Sequence, residues 1–185
     1  MSRPKPIRAR LVPQALLLGL VLFVSRFASP QAVSDYQVKA AYMYNFAKFI
    51  EWPAQAFPTL TAPIRFCALN NSAFEVELKR VVTGKVIVGH AAEVLQVHDR
   101  EQARNCNLLF IDSSQERHAR QIFDELRGTS VLTVGEAESF IEDGGMIDFV
   151  LRNDRVQFRI NHKAAKEAGL YISSRLLEVA REVIE

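Results

Sequence analysis

Three polar turns follow apolar runs in the middle of the chain, and chemistry would sit there first. Asn70-Asn71-Ser72 follows Ile64–Leu69 (IRFCAL), Asp112-Ser113-Ser114 follows Asn107–Ile111 (NLLFI), and Gly135-Glu136 follows Ser130–Val134 (SVLTV). In an open α/β sheet, ligands bind beyond the carboxyl ends of the strands. On that geometry Asn70, Asp112, Ser113 and Glu136 would converge on one edge as a ligand pocket. The same residue types also cap the helices that follow strands, so each turn carries two readings. An aspartate ending a central strand invites a phospho-acceptor reading for Asp112. That chemistry needs further acids after the first strand to hold a metal, and a lysine after the fifth. The chain offers Asn70, Asn71 and Arg152 in their place, which excludes it.

Asn45 stands between Tyr42 and Phe49 in an apolar stretch, and a buried amide there must find a hydrogen-bond partner at the cost of a few kcal/mol otherwise. It is either a structural amide or a further pocket residue. Thr83-Gly84-Lys85 lacks the spacing of a phosphate loop, and neither GxSxG nor GxGxxG occurs. His90, His98, His118 and His162 share no ligand spacing, and neither Cys67 nor Cys106 has a second Cys or His nearby, so no metal site or cofactor is expected. The absence of a catalytic constellation favours binding over catalysis.

The elements that must carry these residues alternate. A helix is expected over Asp35–Glu51, opened by Ser34 with Gln37 three residues on as a capping box and stopped by Pro53. Val38, Ala41, Tyr42, Phe49 and Trp52 share one of its faces, while Ala40, Met43, Ala47 and Ile50 form a second apolar stripe. Helices over Ala73–Val82 and Gln115–Arg127, and a short one ending at Ile141, separate the strands, with a weaker strand at Ala91–Val97. Continuous apolar strands alternating with amphipathic helices imply a parallel sheet covered on both faces. The last third follows a different pattern. Met146–Leu151 and Arg155–Ile160 flank Asn153-Asp154, which tolerate the positive φ of a tight hairpin. A final helix is expected from Ser174 with Leu176, Leu177, Ala180, Val183 and Ile184 as its buried stripe. The fold class is therefore one α/β domain, a mixed sheet with a parallel core and a C-terminal antiparallel hairpin.

An aromatic residue near cationic side chains is a common composition for a protein–protein hot spot. The first helix is apolar on more sides than sheet packing requires, with Trp52 at its end, and Arg155, Gln157, Arg159 and Asn161 share the polar face of the closing strand. Tyr44, Lys48, Trp52, Arg159 and Asn161 are therefore expected to form a partner-binding surface, with Trp52 as a buried core anchor the alternative.

The net charge of +2 over 185 residues is an artefact of the N-terminus. Arg3, Lys5, Arg8, Arg10 and Arg26 fall within residues 1–32, where there is no acid; the remainder holds 18 Lys and Arg against 21 Asp and Glu, a net −3. A mildly acidic body lacks the footprint of a nucleic-acid binder. The cations precede the apolar run Leu11–Val24, a pattern that reads as a secretory signal peptide over 1–32, ahead of a domain over 33–185. Neither Ala28 nor Ala32 has a small residue at the third position before the cut, so the leader is either removed near residues 28–33 or kept as an anchor. In an oxidising compartment Cys67 and Cys106 would pair as a disulfide, with two buried thiols as the alternative.

Val38–Pro53 (VKAAYMYNFAKFIEWP), Ile64–Leu69 with Cys67, Cys106–Ser113 (CNLLFIDS), Val131–Glu136 (VLTVGE), Gly144–Ile147 (GGMI) and Val156–Leu177 (VQFRINHKAAKEAGLYISSRLL) resemble, in this order, the YfiR family of periplasmic regulators. The resemblance implies a Rossmann-like domain with helices on both faces of the sheet and a tendency to form homodimers. It also implies repression of a membrane-bound diguanylate cyclase through its periplasmic part, relieved by an outer-membrane-associated lipoprotein, with cyclic di-GMP and biofilm behaviour as the output. The Cys67–Cys106 pair looks like one bridge of the family. The second bridge that one member carries has no counterpart here.

Overall fold

A computed structural model describes residues 34–185. The expected signal peptide lies outside the described residues. Ser34 caps helix α1 (Asp35–Phe46) by accepting from the Gln37 amide, and Gln37 returns a side-chain bond to the Ser34 N–H. The helix stops five residues before its expected end. The residue before a proline is steered to extended backbone, and ahead of Pro53 the chain enters β1 (Ile50–Glu51), which pairs antiparallel with β9 (Tyr171–Ile172) as a separate ribbon. A single 3-10 turn, Ala54–Ala56, follows.

Strands β2 (Ile64–Leu69), β4 (His90–Val97), β5 (Leu108–Ile111), β6 (Leu132–Gly135) and β7 (Ile147–Arg152) run parallel. Strands β3 (Val86–Ile87) and β8 (Arg155–Asn161) pair antiparallel with β4 and β7, completing with β10 (Glu182–Ile184) an eight-stranded sheet of order β10-β8-β7-β6-β5-β2-β4-β3. Helices α2 (Ser72–Val82), α3 (Arg100–Ala103), α4 (Ala119–Glu125), α5 (His162–Glu167) and α6 (Ser174–Val179) connect them, with a 3-10 segment at Ser113–His118. The mixed sheet, its parallel core and the hairpin at Asn153-Asp154, both with positive φ, stand as the sequence implies.

The two-residue alternation of the strands splits the core. Ile64, Phe66, Leu108, Phe110, Leu132 and Val134 meet α1 and α2 on one face. Cys67, Leu69, Leu109, Ile111 and Val131 meet α3 and α4 on the other. The core stripe of α1 is Ala40, Met43, Phe46 and Ala47, and Phe46 stands 5.9 Å from Phe149 and 4.9 Å from Phe158 between ring centroids. On the second face Cys67 and Cys106 form a disulfide across 39 residues of sequence, which contributes roughly 4 kcal/mol by restricting the unfolded chain.

One expected helix is absent and another is shorter than expected. Residues 137–144 form successive turns, because the ring of Phe140 folds back onto the backbone of Gly135 and Gly145, where a Cβ would lie within 2.1–2.2 Å of it. The final helix ends at Val179. Val183 and Ile184, placed on its buried stripe, instead extend beside Ile160 and Asn161 in β10, because their β-branched side chains pack equally well on a strand.

The hairpin between β3 and β4 carries its strain at the tip: Val88 has φ 49 and is exposed, and Gly89 has φ 87. A β-branched residue is disfavoured in that region, where Asn-Gly is the preferred pair of a two-residue turn. Val88→Asn should raise stability by about 1 kcal/mol, read as an upward shift in the urea midpoint at unchanged slope. An unchanged or lower midpoint would contradict the strain.

Candidate functional site

Each of the three polar turns ends a parallel strand, so all lie on the edge where α/β sheets hold ligands. The crevice there is filled by the chain itself. Asn71 caps α2 through the Phe74 amide at 2.9 Å, and its Nδ2 donates to Asp112 Oδ2 at 2.6 Å and to the Tyr36 hydroxyl of α1 at 2.9 Å. Asp112 is buried, and its Oδ1 accepts from the amide and the hydroxyl of Ser114. Lys39 of α1 forms an ion pair with Glu136 and lies 5.9 Å from the centre of the Tyr36 ring. Asn70 and Ser113 are exposed beside this cluster and take no side-chain part in it. A cleft of ≈160 Å³ remains between Asp35, Lys39, Glu136 and the β7–β8 hairpin. That is below the ~300–1,000 Å³ of ordinary small-molecule pockets. Asp112, Asn71 and Glu136 converge as the turns implied, but as caps and pairs satisfied by α1.

Asn45 is not in the apolar face of α1. It is exposed and accepts from Lys48 Nζ at 2.9 Å, because the core stripe runs through Met43 and Phe46 and turns residue 45 outward. It lines neither cleft.

The expected partner surface divides. Tyr44 and Lys48 stand together on α1, with Nζ 3.9 Å from the Tyr44 ring centre. Trp52 follows β1 half-buried, its Nε1 shielded without an acceptor among the described residues, and Tyr171 stands exposed across the ribbon opposite Glu51. Arg159 and Asn161 belong elsewhere. Phe158 faces α1, so strand alternation turns Arg159 to the opposite side of the sheet. There Arg159 is largely enclosed, donating to Asp148 Oδ2 from Nε at 3.0 Å and from Nη2 at 2.7 Å. Asn161 caps α5 through the Ala164 amide. Arg159 is thus an internal counter-ion, and reversing its charge would set two acids against each other inside the fold.

A larger cleft of ≈740 Å³ opens on that same side between α4, residues 141–146 and α5. Phe123, Val131, Ile141 and Met146 line it, with Lys163 and Glu167 at its rim. Arg120 braces it by pairing with Asp143 at 2.6 Å, and the Ser139 hydroxyl together with Arg120 holds the Asp143 carboxyl below the usual range. Sequence reasoning missed this cleft and the closing roles of Tyr36 and Lys39. The small residues Gly144, Ala164 and Ala168 were its one visible signal. Among the described residues, no cluster of His, Cys, Asp or Glu could hold a metal ion, and no helix is long and apolar enough to cross a membrane.

The architecture is that of an α/β domain whose strand-end crevice is occupied by its own first helix. The chain belongs to the YfiR/HmsC-like family, whose model matches residues 36–181. A search of curated proteins returns no match. The fold is similar to the crystal structure of a conserved domain protein from Vibrio cholerae O1 biovar El Tor, at 10% identity and a TM-score of 0.59 over 81% of this chain. The chain spans 60% of the length of that structure. It also resembles, at 17% identity and a TM-score of 0.49, the ABC domain in complex with L-Trp from Streptococcus pneumonia, over 70% of this chain and 57% of that one. The second likeness is too loose for comparing sites. Family membership points to a regulator rather than a catalyst.

Burial pushes the Asp148 carboxyl up to about 6, against the pull of Arg159. An acid whose folded value lies above its unfolded one binds a proton more readily when folded, so its contribution to stability grows as pH falls through about 6 and is complete below about 4. Between about pH 7.5 and about pH 5, the wild type should gain roughly 1–1.5 kcal/mol relative to Asp148→Asn in denaturant titrations. A difference that stays flat or falls over that window would contradict the shift.

Proposed function

We propose that the protein is an exported periplasmic regulator that inhibits a membrane-bound diguanylate cyclase by direct contact with the cyclase's periplasmic part. The observation that carries this reading is the family match over residues 36–181. The basic N-terminus followed by the apolar run Leu11–Val24 supports export. The α1 side, with Tyr44, Lys48 and Trp52 joined by the exposed Tyr171, is the proposed contact surface. It combines aromatic area with a cation, the composition of an interface centre. Arg159 and Asn161, on the other side of the sheet, have no part in it. A homodimer and relief by an outer-membrane-associated lipoprotein belong to the same proposal.

A second reading, a periplasmic solute-binding protein, draws on the ≈740 Å³ cleft and not on the strand-end turns, which α1 fills. Native mass spectrometry of envelope-purified protein separates the two: a retained small molecule favours the second reading, and a co-purified cyclase favours the first.

The decisive experiment is co-purification with the inner-membrane cyclase alongside cyclic di-GMP measurement. Lys48→Glu should weaken the complex roughly tenfold or more and raise cyclic di-GMP, while Lys163→Glu on the opposite face should leave both at wild-type level. Wild-type repression and complex formation by a folded Lys48→Glu variant would remove this surface from the proposal. Deletion of the gene without change in cyclic di-GMP would remove the cyclase.

A further inference from the structure

Asp148 is the most deeply buried carboxylate among the described residues, at 2% exposure, and it stands on β7 directly across from Arg159 on β8. Its Oδ2 takes both guanidinium contacts, while Oδ1 is shielded from solvent and meets no donor among the described residues. An ionised carboxylate accepts through both oxygens, so one half of this charge is held without compensation. Buried carboxylates in that position resist ionisation.

The guanidinium is also shared. Arg159 Nη1 lies 3.4 Å from Glu142 Oε1, on the run of turns at residues 137–144. That run is bound to the sheet at Phe140, whose ring rests on Gly135 and Gly145, and at the Ile141 carbonyl, which accepts from Asn161; it is bound to α4 where Asp143, which also accepts from Ser139, pairs with Arg120. Glu142 itself is mostly exposed and reaches the sheet through Arg159. The cluster therefore has a buried acid, a cation enclosed for most of its surface and an exposed acid, in line from the sheet outward.

We propose that Asp148, Arg159 and Glu142 form an acid-operated latch between the β7–β8 hairpin and the turns at residues 137–144. With Asp148 ionised, Arg159 is drawn down onto the strands and holds Glu142 over them. With Asp148 neutral, Glu142 is the remaining carboxylate in contact with the guanidinium, which turns outward, and the turns ride on a surface pair that water and salt weaken. The cluster passes from one net negative charge to none beside the ≈740 Å³ cleft, which Glu142 and Asn161 help to line.

The charged groups acting on Asp148 are Arg159 from β8, Glu142 from the turns and Glu136 from the end of β6, the last paired with Lys39 of α1. Burial and the two glutamates favour the neutral acid and Arg159 opposes them, with the balance near pH 6. The latch is a property of the chain. Only its setting, an envelope compartment whose pH follows the medium, rests on the export reading.

Heteronuclear NMR of the purified protein across about pH 4–8 tests it. The Asp148 carboxyl carbon should titrate at about 6, well above an ordinary aspartate. The Arg159 Nε–H and the amides of Ser139–Gly144 should shift with the same midpoint. In Asp148→Asn these signals should hold their acid positions throughout. In Glu142→Gln the turn amides should lose their shift while Asp148 still titrates. An Asp148 midpoint near 4 would overturn the latch, as would a titration that leaves Arg159 and the turns unmoved. Should Asp148→Asn fail to fold, the wild-type and Glu142→Gln titrations decide between the same outcomes.

Discussion

The packing of Phe46 on the cross-strand pair Phe149 and Phe158 fixes most of what this domain can do. It seats α1 on one face of the sheet, with Met43 and Ala47 buried beside it. A helix held there places Tyr36 and Lys39 over the strand ends and turns Tyr44 and Lys48 outward. The same contact decides the other face, because strands that give Phe149 and Phe158 to α1 must give Asp148 and Arg159 to the opposite side. Interiors are close-packed, so a change in the size of any of these rings would be felt at both faces.

The filled crevice bears on function. In open α/β proteins the strand ends are free to receive a ligand because nothing from the chain competes for them. Here Asn71, Asp112 and Glu136 have spent their hydrogen-bonding capacity on Tyr36, Ser114, Phe74 and Lys39. Space on the scale of a small molecule opens instead on the far side, at the foot of α4 and α5. The outer side of α1 and the β1–β9 ribbon carry Tyr44, Lys48 and the exposed Tyr171, on which the proposed contact surface rests.

The parallel core was legible because continuous apolar strands separated by amphipathic helices admit few other arrangements. The hairpin was legible because Asn153-Asp154 tolerate positive φ. The errors share a cause, which is that short apolar stretches satisfy two periodicities at once. Val183 and Ile184 complete a helical stripe on paper yet sit in a strand, and Phe49 to Trp52 read as helix until Pro53 and the distant Tyr171-Ile172 draw them into a ribbon. Asn45 was misplaced because α1 is apolar on several sides, which leaves the buried face undetermined by sequence alone. The sequence places the turns of Asn71, Asp112 and Glu136 at strand ends but not their partners on α1, since nothing in local sequence says which helix crosses which edge. Alternation puts Arg159 on the polar side of β8. The structure keeps that side of the strand and adds Asp148 directly across from Arg159, which alternation alone does not specify.

The β1–β9 ribbon has a further consequence, for the order in which the domain can be made. Ile50 has no strand partner until Ile172 exists, and Phe46 lacks its aromatic seat until Phe149 and Phe158 exist. Contacts so far apart in sequence slow folding, because the loop must close before they reward it. Helix α1 therefore stays without its natural cover until the strands at residues 147–161 and 171–172 are in place. A chain shortened at its C-terminal end would leave Ile50 without its strand partner and the buried side of α1 partly uncovered.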